Sequence, residues 1–211
     1  LKPATKIGIG PGETIFELIE SLDSPHIMAG NVVVPLIGGW STGGIEYEVN
    51  KLTGTMALAL GCDHVLVNCP AIVSSEAVKE TLLGEDAIRR VIDLWDTVDI
   101  ALFSVGGEIR RTSYRQLEDD PDLIRAASEW GAVGDVLGRF VNESGEPMES
   151  FHGKTLIVPE EEQIRAIGTR IVVAGGSSKI RCIRGVAKRG LATVLVTDDS
   201  SARALLEMEG V

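Results

Sequence analysis

Aromatic side chains make up only 4% of this chain, and cysteine and histidine occur three times each. Cys62, Cys69 and Cys182 are odd in number and lack C-x-x-C spacing, which argues for reduced thiols rather than a disulfide framework. His26, His64 and His152 lie far apart and form no H-x-x-x-H pair that could begin a metal centre. No metal and no cofactor are therefore expected. Basic residues are also short, with 20 Lys and Arg against 31 Asp and Glu, a net charge of −11. Phosphate backbones need a cationic face, so these residues are not expected to bind nucleic acid themselves. No apolar run approaches the roughly 20 residues of a membrane span, and no signal peptide pattern opens the chain. These absences read as a cytoplasmic protein with no membrane partner. The first residue is Leu1 rather than methionine, which leaves room for a further region ahead of it.

What is present is a β-then-α rhythm. Strand-like runs fall at 5–9, 31–37, 64–67, 98–104, 155–158, 170–174 and 193–197, most of them rich in Val, Ile and Leu without polar alternation. Such runs suit strands buried on both faces of a parallel sheet. Amphipathic helical patterns fall at 14–22, 46–60, 75–83, 86–95, 117–129, 160–167, 178–189 and 199–208. The class this predicts is α/β: an open, mostly parallel, three-layer Rossmann-like sheet, built as one domain over residues 1–211. The glycine-punctuated stretch 131–141, followed by a turn at 142–147, breaks the rhythm and predicts an inserted hairpin or small β lid.

Open α/β sheets bind ligands beyond the carboxyl ends of their strands. The residues to inspect are thus Gly10–Thr14, Gly38–Gly44, Asn68–Pro70, Gly106–Arg111, Gly175–Lys179 and Thr197–Asp199. Gly8-x-Gly10-x-Gly12 invites a dinucleotide reading, but the third glycine of G-x-G-x-x-G falls on Glu13, and the second strand ends in Pro35-Leu36-Ile37-Gly38 without an acidic residue. Gly153-Lys154-Thr155 resembles a P-loop tail, yet Met148 stands where its first glycine belongs. Neither nucleotide motif holds. Gly175-Gly176-Ser177-Ser178-Lys179 is more informative: N–H groups, hydroxyls and an ammonium at a helix start suit a phosphate or a polyol, or else a capped helix with a solvent-facing lysine. Asp135 either accepts hydrogen bonds from sugar hydroxyls or stabilises a turn. Trp40 either stacks on a sugar face or covers a loop. Asp198 reads as a helix N-cap rather than a catalytic group. The candidate ligand-binding residues are Gly12, Glu13, Thr14, Gly38, Trp40, Gly106, Asp135 and Lys179, with no catalytic residue among them.

Taken together, Gly8-Ile-Gly-Pro-Gly12, Val33-Val-Pro-Leu-Ile-Gly-Gly39, Cys69-Pro-Ala71, Gly131-Ala-Val-Gly-Asp135, Ala174-Gly-Gly-Ser-Ser-Lys179 and Leu195-Val-Thr-Asp198 resemble the effector-binding (sugar-binding) domain of the SorC family of bacterial transcriptional regulators. The resemblance implies a fold like that of sugar-phosphate isomerases and glucosamine-phosphate deaminases, and an N-terminal helix-turn-helix domain for operator DNA that these residues do not contain. It implies a sugar, polyol or sugar phosphate as ligand, and a homo-oligomer, dimer or tetramer. Gly12, Glu13 and Thr14 fall in the loop that would cradle a phosphate, while Asp135 and Lys179 match positions that contact the ligand's polar groups. Two departures bear on the ligand. Glu13 sets a carboxylate where relatives often offer a small or hydroxyl residue, and Ile37 stands where some carry an arginine for a second phosphate. A bisphosphate is therefore not expected.

Two functions follow for testing. One is a ligand-sensing module; the other is an isomerase-like enzyme on sugar phosphates. An isomerase needs a general base and a partner that stabilises the enediolate. Asp99 and Glu108, which flank the 98–104 strand, make no paired acidic constellation, so no enzyme is expected.

Overall fold

A computed structural model describes residues 4–22, 30–40, 45–108, 120–149 and 153–210. Its strands are β1 (Lys6–Ile9), β2 (Val32–Pro35), β3 (Asp63–His64), β4 (Ile72–Val73), β5 (Ile100–Phe103), β6 (Gly134–Val136), β7 (Arg139–Val141), β8 (Thr155–Leu156), β9 (Thr169–Val173) and β10 (Val194–Val196). Its helices are α1 (Glu13–Glu20), α2 (Val49–Leu60), α3 (Glu76–Gly84), α4 (Asp86–Ile92), α5 (Pro121–Trp130), α6 (Glu161–Ala166), α7 (Ile180–Lys188) and α8 (Asp199–Glu209). Six strands form the main sheet in the order β10-β9-β5-β1-β2-β3, and every neighbouring pair is parallel.

Alternation along the strands sends side chains to both faces, and each face has its own core. Ile7 and Ile9 of β1, Val33 of β2 and Leu102 of β5 pack with Ile15 and Ile19 of α1 and Leu52, Met56 and Ala57 of α2. Val34, Ala101, Phe103 and Val172 face the other way, against Leu123 and Ala127 of α5 and Cys182, Ile183 and Val186 of α7. The result is the expected three layers. Fully burying an Ile or Phe contributes about 2 kcal/mol, and the central strands carry the largest share of such residues. Helix ends follow from local chemistry. Asp120 accepts from Leu123 N–H at 3.0 Å with Pro121 in the first turn, while Gly61 and Gly131 close α2 and α5 in left-handed conformations.

Three expectations need correction. The 155–158 run is not a strand of the parallel sheet: β8 pairs antiparallel with β4, in the register Ile72↔Leu156 and Val73↔Thr155. The backbone explains the detour. Ile157 N–H donates to Ala71 O at 2.8 Å, and Ile157 O accepts from Gly38 N–H at 2.9 Å, so this segment laces together two loops beyond the sheet. The 64–67 run pairs only through its start, because Asn50 takes both backbone groups of Val67, at 2.9 and 3.0 Å. The 117–129 helix spans Pro121–Trp130, and residues 117–119 lie outside the described residues. The inserted hairpin is present as β6–β7, and its two-residue turn holds Leu137 at φ 48° and Gly138 at φ 84°.

Candidate functional site

From β1 the chain moves outward to β2 and β3, then returns to β5 on the other side of β1 and proceeds to β9 and β10. Strand order therefore reverses between β1 and β5, and the carboxyl ends of these strands are where an open α/β sheet holds its ligand crevice. Gly10 follows β1 there, its N–H donating to Leu102 O at 2.9 Å. Ser104–Gly107 follows β5.

The inserted hairpin sits over this crevice. Val105 bridges Val136, and Gly106 N–H donates to the Asp135 carbonyl at 3.0 Å. Leu137 is buried, and a Cβ added to Gly10 would lie 2.9 Å from its Cδ2 and 2.9 Å from Phe103 Cβ. A left-handed backbone costs a non-glycine residue about 1 kcal/mol, which burial of the Leu137 side chain offsets. Gly10 is thus required for a close approach, since any side chain would lift the hairpin.

Asp135 is the chemical centre of the cluster. It is 3% exposed, one of few buried polar residues among those described. Its Oδ2 accepts from Gly138 N–H at 3.3 Å, while its Oδ1 has no hydrogen-bond partner among the described residues. Oδ1 occupies the space a residue-106 side chain would fill, for a Cβ on Gly106 would stand 1.7 Å from it. Burial pushes the Asp135 carboxyl up to about 7, against the Gly138 hydrogen bond and the nearby Lys179 ammonium, which pull it down. An oxygen in that state wants a donor. Beneath it, Cys182 Sγ lies 3.7 Å from the Asp135 carbonyl, and burial followed by the Asp135 charge drives that thiol upward, which keeps it inert.

The third wall is the turn after β9. A Cβ on Gly107 would meet Ser178 Oγ at 3.0 Å and Lys179 Cγ at 3.4 Å, so Gly107 lets the Ser177–Lys179 turn close on the end of β5. Gly106, Asp135 and Lys179, named separately from the sequence, are therefore brought together. Gly12, Glu13 and Thr14 begin α1, two residues beyond the glycine on which Leu137 rests. Gly12 has φ 117° and open space where a Cβ would stand, its N–H donates to Tyr47 O at 3.3 Å, and Glu13 is exposed. Glu13 is one of the carboxylates that, after desolvation, raise the Tyr47 hydroxyl.

Other candidates serve the frame. A Cβ on Gly38 would stand 2.6 Å from Pro70 O, so this glycine permits a close chain crossing. Trp40 is 1% exposed, and its ring packs beneath the hairpin turn near Gly138; this fits cover for a loop and leaves no open face for stacking. Ile37, fully buried, packs at the same turn and places no cation there. Asp99 Oδ2 accepts from Lys6 N–H at 2.8 Å, at the amino ends of β1 and β5, opposite the crevice. Asp198 caps α8, as expected, accepting from Ser201 N–H at 2.8 Å. Residues 41–44 and 109–111 lie outside the described residues, as do His26 and His152. Sequence reasoning placed Gly10 and Gly107 in strand-end stretches without naming them as ligand-binding candidates, and it missed Leu137. The two-residue gap Leu137-Gly138 between Gly-Asp-Val and Arg-Phe-Val was a legible hairpin signal, but which side chain it would drive downward was not.

Residues 1–207 match the Sugar-bind family, described as "Putative sugar-binding domain". The chain belongs to this family. The sugar-binding domain is similar to the transcriptional regulator LsrR of Enterobacter sp. (strain 638), 31% identical over 220 residues covering 100% of this chain and 64% of LsrR. It is also similar to the deoxyribonucleoside regulator of Bacillus subtilis (strain 168), 28% identical over 98% of this chain and 66% of that protein. Its fold matches the crystal structure of the full-length sorbitol operon regulator SorC from Klebsiella pneumoniae, with a TM-score of 0.89 at 24% identity, covering 98% of this chain and 66% of that one. The chain thus spans about two thirds of the length of these relatives. They are regulators by name. Among the described residues, no helix is long and apolar enough to cross a membrane, and no His, Cys, Asp and Glu group could hold a metal ion.

Proposed function

We propose that this sugar-binding domain is the ligand-sensing part of a cytoplasmic bacterial transcriptional regulator. It binds a sugar, polyol or sugar phosphate at the β1–β5 crevice and passes that event, through a homo-oligomer, to a helix-turn-helix region outside residues 1–211. The acidic domain itself does not touch operator DNA. The observation that carries the reading is the buried Asp135 Oδ1, without a hydrogen-bond partner among the described residues and set over Gly106 at the strand carboxyl ends. A carboxylate oxygen there suits hydroxyl donors of a polyol, and the Lys179 ammonium holds the ligand's more electron-rich end. Binding need only favour one arrangement of loops for operator affinity to change.

The ligand in this reading carries one phosphate or none. Buried Ile37 offers no cation for a second phosphate, and Glu13 at the start of α1 opposes a dense anion at that wall. The Gly12 N–H already donates to Tyr47 O at 3.3 Å, so this wall contacts a hydroxyl or a single phosphate through the Glu13 and Thr14 N–H groups. The test uses the full-length regulator in an operator-shift assay with erythritol, ribitol, glucitol and their terminal monophosphates. Release or recruitment of operator by a member of this panel, lost in Lys179→Ala with basal operator binding intact, is expected. A response confined to sugar bisphosphates, or isomerase turnover that vanishes in Asp135→Ala, overturns the reading.

A further inference from the structure

The N-cap of α8 does more than start a helix. Asp198 divides its two carboxylate oxygens between two elements. Oδ1 accepts from Ser201 N–H at 2.8 Å and from the Ser200 hydroxyl, which is the helix-capping half. Oδ2 accepts from Gly176 N–H at 3.0 Å and from the Ser201 hydroxyl at 2.7 Å. Ser201, 1% exposed, also accepts from Gly176 N–H, at 2.8 Å. One amide of the glycine turn is thus held by two acceptors from the next β–α connection. Only glycine allows this close approach, because a Cβ on Gly175 would stand 2.1 Å from Asp198 Oδ2. Gly176, at φ 95°, then leads directly into Ser177–Lys179, the turn that closes on Gly107.

We infer that Asp198, braced by Ser201, is a positioning residue: it fixes the Gly175–Gly176 turn so that Ser178 and Lys179 meet Gly107 and Asp135. The Ser200 hydroxyl and the Ser201 N–H and hydroxyl hold its carboxyl well below the usual carboxylate range, so the brace keeps its charge through the neutral pH range. The sequence motif Thr197-Asp198 at the end of β10 thereby acts on the ligand site from one strand away, without facing it.

Geometry supplies a discriminating variant. Asparagine caps helices as well as aspartate does. In Asp198→Asn, the amide oxygen that keeps the cap forces the NH2 group toward Gly176 N–H, donor against donor. Asp198→Ser also caps α8 but is too short to span to Gly176. Both variants separate positioning from helix capping. The experiment measures amide hydrogen exchange by mass spectrometry on the full-length protein. Exchange in residues 174–179 is expected to accelerate about tenfold in both variants, the loss of roughly one charge-assisted hydrogen bond, with residues 169–173 and 199–209 unchanged. Gly175→Ala, which pushes the turn off Asp198, gives the same local signature. Unchanged exchange in 174–179, or faster exchange that extends through α8, overturns the inference.

The link to ligand rests on the sensing function proposed above and has its own readout. For the panel compound with the largest thermal shift in the wild type, affinity falls about tenfold in both variants. Local loosening with full affinity overturns the positioning role. If no panel compound binds the wild type, the choice of ligand fails while the exchange result still decides the brace.

Discussion

The turn after β1 and the cluster after β5 are both rich in glycine, for opposite reasons. At Gly12 the backbone sits at φ 117° and a Cβ would meet nothing within 4 Å, so glycine there serves conformation rather than proximity. At Gly106 and Gly107 the space is already taken, by Asp135 Oδ1 and by Ser178 and Lys179. Glycine there serves proximity. The conspicuous motif marks the rim of the site, whereas the less conspicuous pair marks the place where a buried carboxylate reaches it.

The largest effect should come from filling the second region. Gly106→Ala drives a methyl group into Asp135 Oδ1 and is expected to cost about 3 kcal/mol in denaturant unfolding and to abolish ligand response. Gly12→Ala, strained but unobstructed, costs about 1 kcal/mol by the same measurement. Equal losses at the two positions would erase the distinction between rim and centre.

Asp135→Asn comes next and depends on pH. The unfolded carboxyl titrates at its ordinary 3.8 and the folded one near about 7. Between these values the folded chain holds a proton that the unfolded chain has lost. The stability Asp135 provides is therefore complete below about 4, is lost as pH rises toward 7, and stays lost above it. Thermal melts of the ligand-free protein should show the asparagine variant stabilised relative to wild type at pH 8, on the order of a few kcal/mol, and little changed at pH 4. A wild-type advantage at pH 8 would mean that Oδ1 already has a partner.

Much of the frame was legible because strand and helix patterns are local. Continuous apolar runs at β1, β2, β5 and β9 marked buried parallel strands, and the glycine-punctuated 131–141 stretch marked the hairpin. The placement of 155–158 was not legible, because whether an apolar run joins the main sheet depends on Ala71 and Gly38, distant in sequence. In the site, Gly106 and Lys179 were visible as residue types at strand ends, and Asp135 as a carboxylate in the glycine-rich stretch that breaks the rhythm. The depth of Asp135, the descent of Leu137 onto Gly10 and the reach of Asp198 to Gly176 were not, since each is a contact between segments far apart in the chain. Trp40 stood out by rarity, yet rarity in a core-forming residue reflects packing as readily as recognition.

A smaller effect should appear at the rim. Glu13→Gln removes one exposed charge from the start of α1 and should improve the affinity ratio of a polyol monophosphate over the plain polyol by about threefold in calorimetry at low salt, less at high salt. No change in that ratio would place the phosphate, if there is one, at Lys179 instead.

The most direct experiment is calorimetry of the best panel ligand at pH 7 in two buffers of different ionisation enthalpy, for wild type and Asp135→Asn. Ligand hydroxyls that donate to Asp135 favour its charged form, so wild-type binding should release a fraction of a proton and tighten as pH rises from 6 to 8, while the variant binds at least about tenfold more weakly with no proton release. Tight binding by the variant, with the same proton count as wild type, would contradict the assignment of Asp135 as the group that reads the ligand.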